Sequence, residues 1–178
     1  MTEAKTTENW FTRHAKAEAK KDIIPSYERI GNIVGVVVGL LVVLYFIGHQ
    51  TGLTGFFTSK FGPLEMLLFY GTIAYGIVSG VLKGLFGRKN KARLLDVIGA
   101  CFDFIAIIWL YTVFPFDFAY LADVLPDFLK FLLLWITNDI ARVLMILAMI
   151  VTLIMAIYTA AFYLLVRREL SKPTPKAT

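Results

Sequence analysis

The sequence predicts an all-α membrane protein: a four-transmembrane-helix bundle with an N-terminal amphipathic helix and a short outer interfacial helix. Hydrophobic residues make up 58% of the 178 residues, whereas soluble domains contain about 45–50% even when glycine is counted. These residues are concentrated in four apolar runs, each close to the ~20 residues that a helix needs to cross a bilayer. The predicted spans are about residues 27–47, 64–85, 92–114 and 139–167.

Polar segments flank the predicted transmembrane domain, residues 26–168. Residues 1–25 are expected to form a cytoplasmic tail with an amphipathic helix that can lie on the membrane surface. Residues 169–178 are expected to be a disordered cytoplasmic tail. A further apolar helix at about 126–136 is too short to span, so it either lies in the outer interface or dips into the membrane.

Small residues recur every fourth position in three of the predicted spans. In a bilayer such stripes let helix backbones approach closely, and this packing takes the place of the hydrophobic effect. Because consecutive spans are antiparallel, we expect a tight hairpin of the first two spans in which glycines face glycines. The predicted pairs are Gly31 with Gly84, Gly35 with Gly80 and Gly39 with Gly76, and the fourth span adds Ala148, Thr152, Ala156 and Ala160.

The placement of positive charge predicts the topology. Cytoplasmic segments of membrane proteins carry the excess of Lys and Arg. Most of the 18 Lys and Arg residues lie in the amino-terminal tail, the second connector and the carboxyl end, while Lys60, Lys130 and Arg142 lie on the other side. Both termini are therefore predicted to be cytoplasmic, in a multi-pass protein of the cell membrane. Since topology and contact with membrane lipids explain the net charge of +5, we expect no nucleic-acid binding.

Asp103 is the sharpest clue to a function. It lies in the middle of the third apolar run, where a charge costs at least ~2.5–3.5 kcal/mol, and no Lys or Arg lies at a matching depth. In the structural interpretation Asp103 carries a proton and hydrogen-bonds to a neighbouring hydroxyl. In the alternative it serves a proton or cation pathway with Asp96 as the inner relay, and a third interpretation is contact with a ligand or partner helix. The candidate hydroxyl partners are Thr72, Tyr75, Ser79 and Thr152.

Signs of catalysis, metal binding or a cofactor are missing from the sequence. It contains no HExxH, no CxxC, no P-loop and no glycine-rich dinucleotide turn. Its lone cysteine, Cys101, cannot form an intrachain disulfide. Near the outer face, Arg142 is expected to form a structural ion pair, which we favour over anion binding. Its expected partner is Asp139 in the same helix turn, or else Asp117, Asp123 or Asp127. We therefore predict no catalytic residue, no metal site and no cofactor.

Two functions follow from these features. The leading expectation is a small, non-catalytic subunit or scaffold that packs through its Gly/Ala stripes with itself or with a larger membrane complex. The alternative is a channel or transporter for protons or small cations that uses Asp103. Four helices rarely enclose a pore alone, so this alternative requires an oligomer. An enzymatic or lipid-modifying activity ranks behind both.

Overall fold

The structure, a computed structural model, describes Arg13, Ala17 and residues 22–172, with the backbone alone at Lys91. The described residues fold into helices without a strand, as the sequence predicts, and four of the helices are long and apolar enough to cross a membrane. The elements are α1 (Ser26–Thr51), α2 (Pro63–Phe86), α3 (Lys89–Val113), a 3-10 turn (Phe118–Tyr120), α4 (Asp127–Lys130) and α5 (Asn138–Leu170).

The long helices expose most of their apolar side chains. Val34 of α1, Leu67 of α2 and Ile154 of α5 are each more than half exposed. Leaving such side chains in water forfeits about 1.5–3 kcal/mol each relative to burial. The four helices therefore indicate a protein embedded in a membrane.

The long helices follow one another as antiparallel neighbours. Near the start of α1, Arg29 donates from Nε to the carbonyl of Gly84 near the end of α2, at 3.0 Å. At the start of α3, the Arg93 guanidinium lies 5.0 Å from the ring centroid of Phe162, near the end of α5. Helix α2 packs against α3, but in the described part of the chain α1 does not pack along α5. The bundle is consequently open between its first and last long helices.

In the α1–α2 hairpin, Gly80 and Gly84 of α2 lie at the predicted heights along α1, but the glycine runs of the two helices do not face each other. A Cβ atom on Gly80 would lie 2.8 Å from Cγ2 of Val36, and one on Gly84 would lie 3.3 Å from Cγ1 of Ile33. These glycines thus receive branched side chains of α1, and the predicted contacts of glycine with glycine are wrong. The reason is the rotation of α1 about its axis, which turns much of its glycine face away from α2. A Cβ atom would meet nothing within 4 Å at Gly31, Gly35 and Gly76.

The two ends of the bundle differ in composition. We call one the basic end; it contains the start of α1, the turn between α2 and α3, and the end of α5. The turn at Gly87 has a left-handed φ of 60°, which glycine adopts without strain. The chain before α1 is tied to this turn, because the Ile24 amide donates to the Gly87 carbonyl at 2.8 Å and the Lys89 amide donates to the Asp22 carbonyl at 2.7 Å.

The opposite, aromatic end is closed by the connectors that precede α2 and follow α3. The Thr58 amide donates to the Pro115 carbonyl at 3.0 Å, and the Asp117 amide donates to the Phe56 carbonyl at 2.7 Å. These bonds hold Phe56 at the centre of a buried cluster with Leu110, Phe116 and Leu121. The first connector therefore packs inward over the bundle.

Two predicted segments have different outcomes. The helix predicted at about 126–136 is wrong in length, because only Asp127–Lys130 is helical and turns continue to Trp135. A single helical turn cannot form a regular series of backbone hydrogen bonds, since the last four carbonyls of a helix lack partners within it. The predicted amino-terminal amphipathic helix lies outside the described residues, apart from Arg13 and Ala17, which are both helical.

We predict that Gly80→Ala destabilises the chain, whereas Gly35→Ala does not. The added methyl of Gly80→Ala meets the stiff Val36 side chain at 2.8 Å, and overpacking of this kind costs about 1–3 kcal/mol. The measurement is the free energy of unfolding in mixed micelles titrated with a denaturing detergent. Equal stability of the two variants would contradict the packing of α1 on α2 described above.

Candidate functional site

A groove runs along the open side of the bundle, between α1 and α5, with α2 and α3 as its floor. Its volume is about 800 Å³. The groove is open along its length, because α1 and α5 do not pack together in the described part of the chain. Residues that line it include Gly31, Gly35, Gly39, Gly76, Gly80, Tyr75, Ser79, Lys83, Asp96, Asp103, Thr152 and Thr159.

The predicted glycine stripe is divided between two roles. Gly39 packs against α2, because a Cβ atom there would lie 3.0 Å from Cγ1 of Ile77. Gly31 and Gly35 on α1 and Gly76 on α2 line the groove with no atom within 4 Å of a Cβ position. Larger side chains at these three positions would project into the groove, so the glycines keep it open.

Helix α5 contributes the second predicted small-residue stripe. Ala156 is buried, while Ala148 and Ala160 are half-buried. Thr152 lies on the wall of the groove. The stripe thus lies on a helix that packs against α3, and one of its residues, Thr152, lines the groove.

The groove wall carries one positive and two negative side chains. The Lys83 ammonium forms an ion pair with the Asp96 carboxylate, which joins α2 to α3. The structure shows no hydrogen bond or ion pair to the Asp103 carboxylate among the residues it describes. Asp96 is therefore held by Lys83, a partner that the sequence analysis missed, whereas Asp103 has no such partner among the described residues.

The four hydroxyls predicted to bind Asp103 do not do so. Thr72 donates to the Phe69 carbonyl at 2.9 Å and Thr152 donates to the Met149 carbonyl at 3.0 Å, each within its own helix. Tyr75 donates across to the Leu95 carbonyl of α3 at 2.6 Å; the remaining candidate, Ser79, is buried. A hydroxyl has one hydrogen to donate, and a nearby helix carbonyl takes it where the geometry allows. The predicted hydrogen bonds to Asp103 are therefore wrong.

A second space, an open cleft which we call the aromatic cavity, adjoins the groove toward the aromatic end. Its volume is about 480 Å³. The two spaces share Ile73, Asp103 and Thr152 as lining residues. Asp103 therefore stands at their junction. The aromatic rings on the wall of this cavity are those of Phe46, Phe56, Phe69, Phe116 and Phe118.

The rings above the aromatic cavity are fixed by a buried histidine. The His49 ring is 1% exposed and its centroid lies 4.9 Å from that of Phe56. His49 Nε2 lies 3.1 Å from the Leu121 carbonyl, and Nδ1 lies 2.7 Å from the Thr54 hydroxyl. A carbonyl only accepts, so Nε2 carries the hydrogen and Nδ1 accepts from Thr54. The hydroxyl of Tyr45 donates to the same Leu121 carbonyl.

The predicted outer ion pair of Arg142 with Asp139 is wrong. The Arg142 guanidinium instead lies 4.5 Å from the ring centroid of Phe114, an arrangement stabilised by the negative face of the ring. Other nearby acids have partners: Asp117 accepts from the Asn138 amide at 3.1 Å. Asp127 pairs with Lys130, whose hydrogen bond lowers the pKa of the Asp127 carboxyl.

Among the aromatic-end contacts, one acid has a clear structural role. Glu65 accepts from the Gly62 amide at 3.0 Å, which completes a capping box at the start of α2. Its other oxygen accepts from Trp109 Nε1 of α3 at 2.8 Å. Glu65 therefore fixes the α2–α3 pair at the aromatic end, as Lys83 and Asp96 do at the basic end.

Comparisons with known proteins give no functional lead: the chain matches no family model, no curated protein and no solved structure. Within the described residues, His, Cys, Asp and Glu side chains form no group of three that could hold a metal ion. The case for a function therefore rests on the groove, the aromatic cavity and Asp103.

We predict that Lys83→Met lowers the free energy of unfolding by about 1–2 kcal/mol, because it leaves a half-buried carboxylate unpaired. Adding Asp96→Asn should recover part of this loss, which a double-mutant cycle in detergent micelles measures. Lys130→Met is the matched control, since its partner Asp127 has a side chain that is 96% exposed. An equal loss in this control would contradict a special role for the Lys83–Asp96 pair.

Proposed function

We propose that this chain is a non-catalytic subunit of a membrane assembly, and that its groove receives a transmembrane helix of another copy or of a larger complex. The observation that carries the proposal is the open glycine surface at Gly31, Gly35 and Gly76. Small residues at helix interfaces allow two backbones to approach closely, and packing then drives association in lipid.

The dimensions of the groove support a helix as its occupant. Gly31 and Gly39 are two turns apart on α1, which is about 12 Å along the helix axis. Packed helices lie about 8–10 Å apart, the smaller distances requiring small side chains at the contact. A groove of about 800 Å³, with glycines on its α1 wall and on its α2 floor, leaves room for a helix set partly into it.

The chemistry of the groove supports a binding role over catalysis. The polar groups of the wall include the Lys83–Asp96 ion pair, hydroxyls that donate to backbone carbonyls, Ser79 and Asp103. In the described part of the wall, no hydroxyl is hydrogen-bonded to either aspartate. Acyl or phosphoryl transfer needs an activated nucleophile held near its base, and this set of groups offers none. We infer that the groove binds and does not react.

The charge of the bundle ends supports a cell-membrane protein with both termini in the cytoplasm. The basic end carries Arg29, Lys83, Lys89, Arg93 and Arg167, while the aromatic end is rich in phenylalanine. Positive residues remain on the cytoplasmic side during insertion. In this orientation the groove opens on the cytoplasmic half of the lipid layer, and the aromatic cavity lies in the outer half.

A second function, transport of protons or small cations, is favoured by one observation. The groove and the aromatic cavity meet at Asp103, so a chain of spaces extends from the level of Lys83 to the phenylalanine rings of the aromatic end. Carboxyl groups within membrane helices frequently mark ion and proton pathways. In this version several copies assemble around the path.

We predict that Gly35→Leu dissociates the assembly, because its side chain fills the groove. Native mass spectrometry of the protein extracted in mild detergent measures the mass of the complex. Val34→Leu is the matched control, since Val34 is more than half exposed next to Gly35. Unchanged helicity and thermal unfolding of Gly35→Leu show that the variant is folded. A monomeric parent, or an assembly that survives Gly35→Leu, overturns the subunit proposal.

We predict, under the second function, that the parent protein in liposomes conducts protons or monovalent cations and that Asp103→Asn abolishes this flux. The reason is that the amide keeps the shape of the side chain but cannot exchange a proton or neutralise a cation. A pH-sensitive dye inside the liposomes measures the flux, and Asp139→Asn serves as the control. Absent flux in the parent rejects transport; flux that survives in Asp103→Asn rejects the assignment of the residue.

A further inference from the structure

The aromatic cavity has the size and position of a small-molecule site. It is lined by all four long helices and by residues of the two connectors at the aromatic end. Its volume of about 480 Å³ lies within the range of about 300–1,000 Å³ that is typical of ligand pockets. A subunit that served only to pack against a partner would have no need of such a space.

The threonine hydroxyls of this cavity donate their hydrogen bonds outside it. Thr72 and Thr152, the two threonines on its wall, donate their hydroxyl hydrogens to the Phe69 and Met149 carbonyls. The remaining polar side chain on the wall is Asp103, which only accepts hydrogen bonds when it is ionised. An occupant that matches this wall carries a positive charge or a hydrogen-bond donor near the carboxylate.

The rest of the wall selects what kind of cation fits. Phenylalanine rings attract a cation through their negative faces, but they cannot replace the water shell of a small inorganic ion. Hard ions such as Mg²⁺ and Ca²⁺ require about six or more oxygen ligands, whereas this wall provides one carboxylate and two hydroxyl oxygens. A bulky organic cation with aryl or alkyl groups is weakly hydrated, so its charge can lie at Asp103 and its apolar groups against the rings.

The surroundings hold the cavity in shape. Phe56 lies between three other rings, with centroids 5.4 Å from Phe46, 5.5 Å from Phe116 and 5.3 Å from Phe118. The buried His49 ring also packs against Phe56, with 4.9 Å between the ring centroids, and it is hydrogen-bonded at both nitrogens. Rings held in this way are preorganised, as recognition of one class of ligand requires.

We propose that the aromatic cavity binds a hydrophobic organic cation, such as a quaternary ammonium or phosphonium ion or a protonated aryl or alkyl amine, with Asp103 as its counter-ion. Such a cation binds to the chain itself at equilibrium, without a partner helix and without transport.

The test uses the full chain purified in a non-ionic detergent and tetraphenylphosphonium as the probe, with binding followed by equilibrium dialysis. We expect saturable binding of one probe per chain. Asp103→Asn should weaken it by roughly tenfold or more, because the opposite charge in a low-dielectric site is lost. Phe69→Leu should weaken it by about two- to fivefold through loss of a ring face. Asp103→Glu should restore much of the affinity.

Two controls keep the result specific. Asp139→Asn removes a carboxylate at the aromatic end that lies outside both cavities, so it corrects for attraction of the probe to the micelle and to net charge. Triphenylphosphine oxide, a neutral compound of related shape, should not compete with the probe. Absence of saturable binding overturns the proposal. So does equal binding by parent and Asp103→Asn with unchanged thermal unfolding, or equal binding of the neutral compound, which indicates an apolar space filled by lipid.

Discussion

The close contact of α1 with α2 determines the shape of the bundle. Gly80 and Gly84 admit the branched side chains of Val36 and Ile33, so the two helices approach where larger residues would hold them apart. Arg29 adds hydrogen bonds to carbonyls at the end of α2, which have no partner within the helix. Held against α2 in this way, α1 does not reach α5 in the described chain. The groove is the consequence.

Much of the helical layout could be predicted because apolar runs of membrane length leave few alternatives. Backbone groups in lipid must bond internally, which makes each run a helix, and short connectors make consecutive helices antiparallel. The level of Gly80 opposite Asn32 and Val36 follows from that geometry. The face of α1 that contacts α2 does not follow from it. Glycines four residues apart mark one face of a helix, but their spacing does not say whether that face turns toward the neighbouring helix or away from it. The sequence therefore predicts that Gly31 and Gly35 contact a helix, whereas in the structure they line the groove.

Local competition explains the errors at the site. Thr72 and Thr152 line the same cavity as Asp103, but each donates to a carbonyl of its own helix. Sequence spacing cannot weigh these options, because they depend on the rotamer of each side chain. Likewise, aromatic connectors have the same composition whether they lie in the interface or fold inward. The bonds of Asp117 to Phe56 and of Thr58 to Pro115 decide between the two, and they join segments that are distant in the chain.

The groove and the aromatic cavity meet at Asp103, so the two proposed occupants would share one residue. A helix seated in the groove covers the approach to this carboxylate, and a cation already bound there cancels the negative charge that the helix would meet. If both proposals hold, the partner and the cation change each other's affinity by the same factor, because linkage between two sites is reciprocal. The chain would then be a subunit whose association responds to a ligand. This coupling requires no conformational change, since the shared wall at Ile73, Asp103 and Thr152 already joins the two spaces.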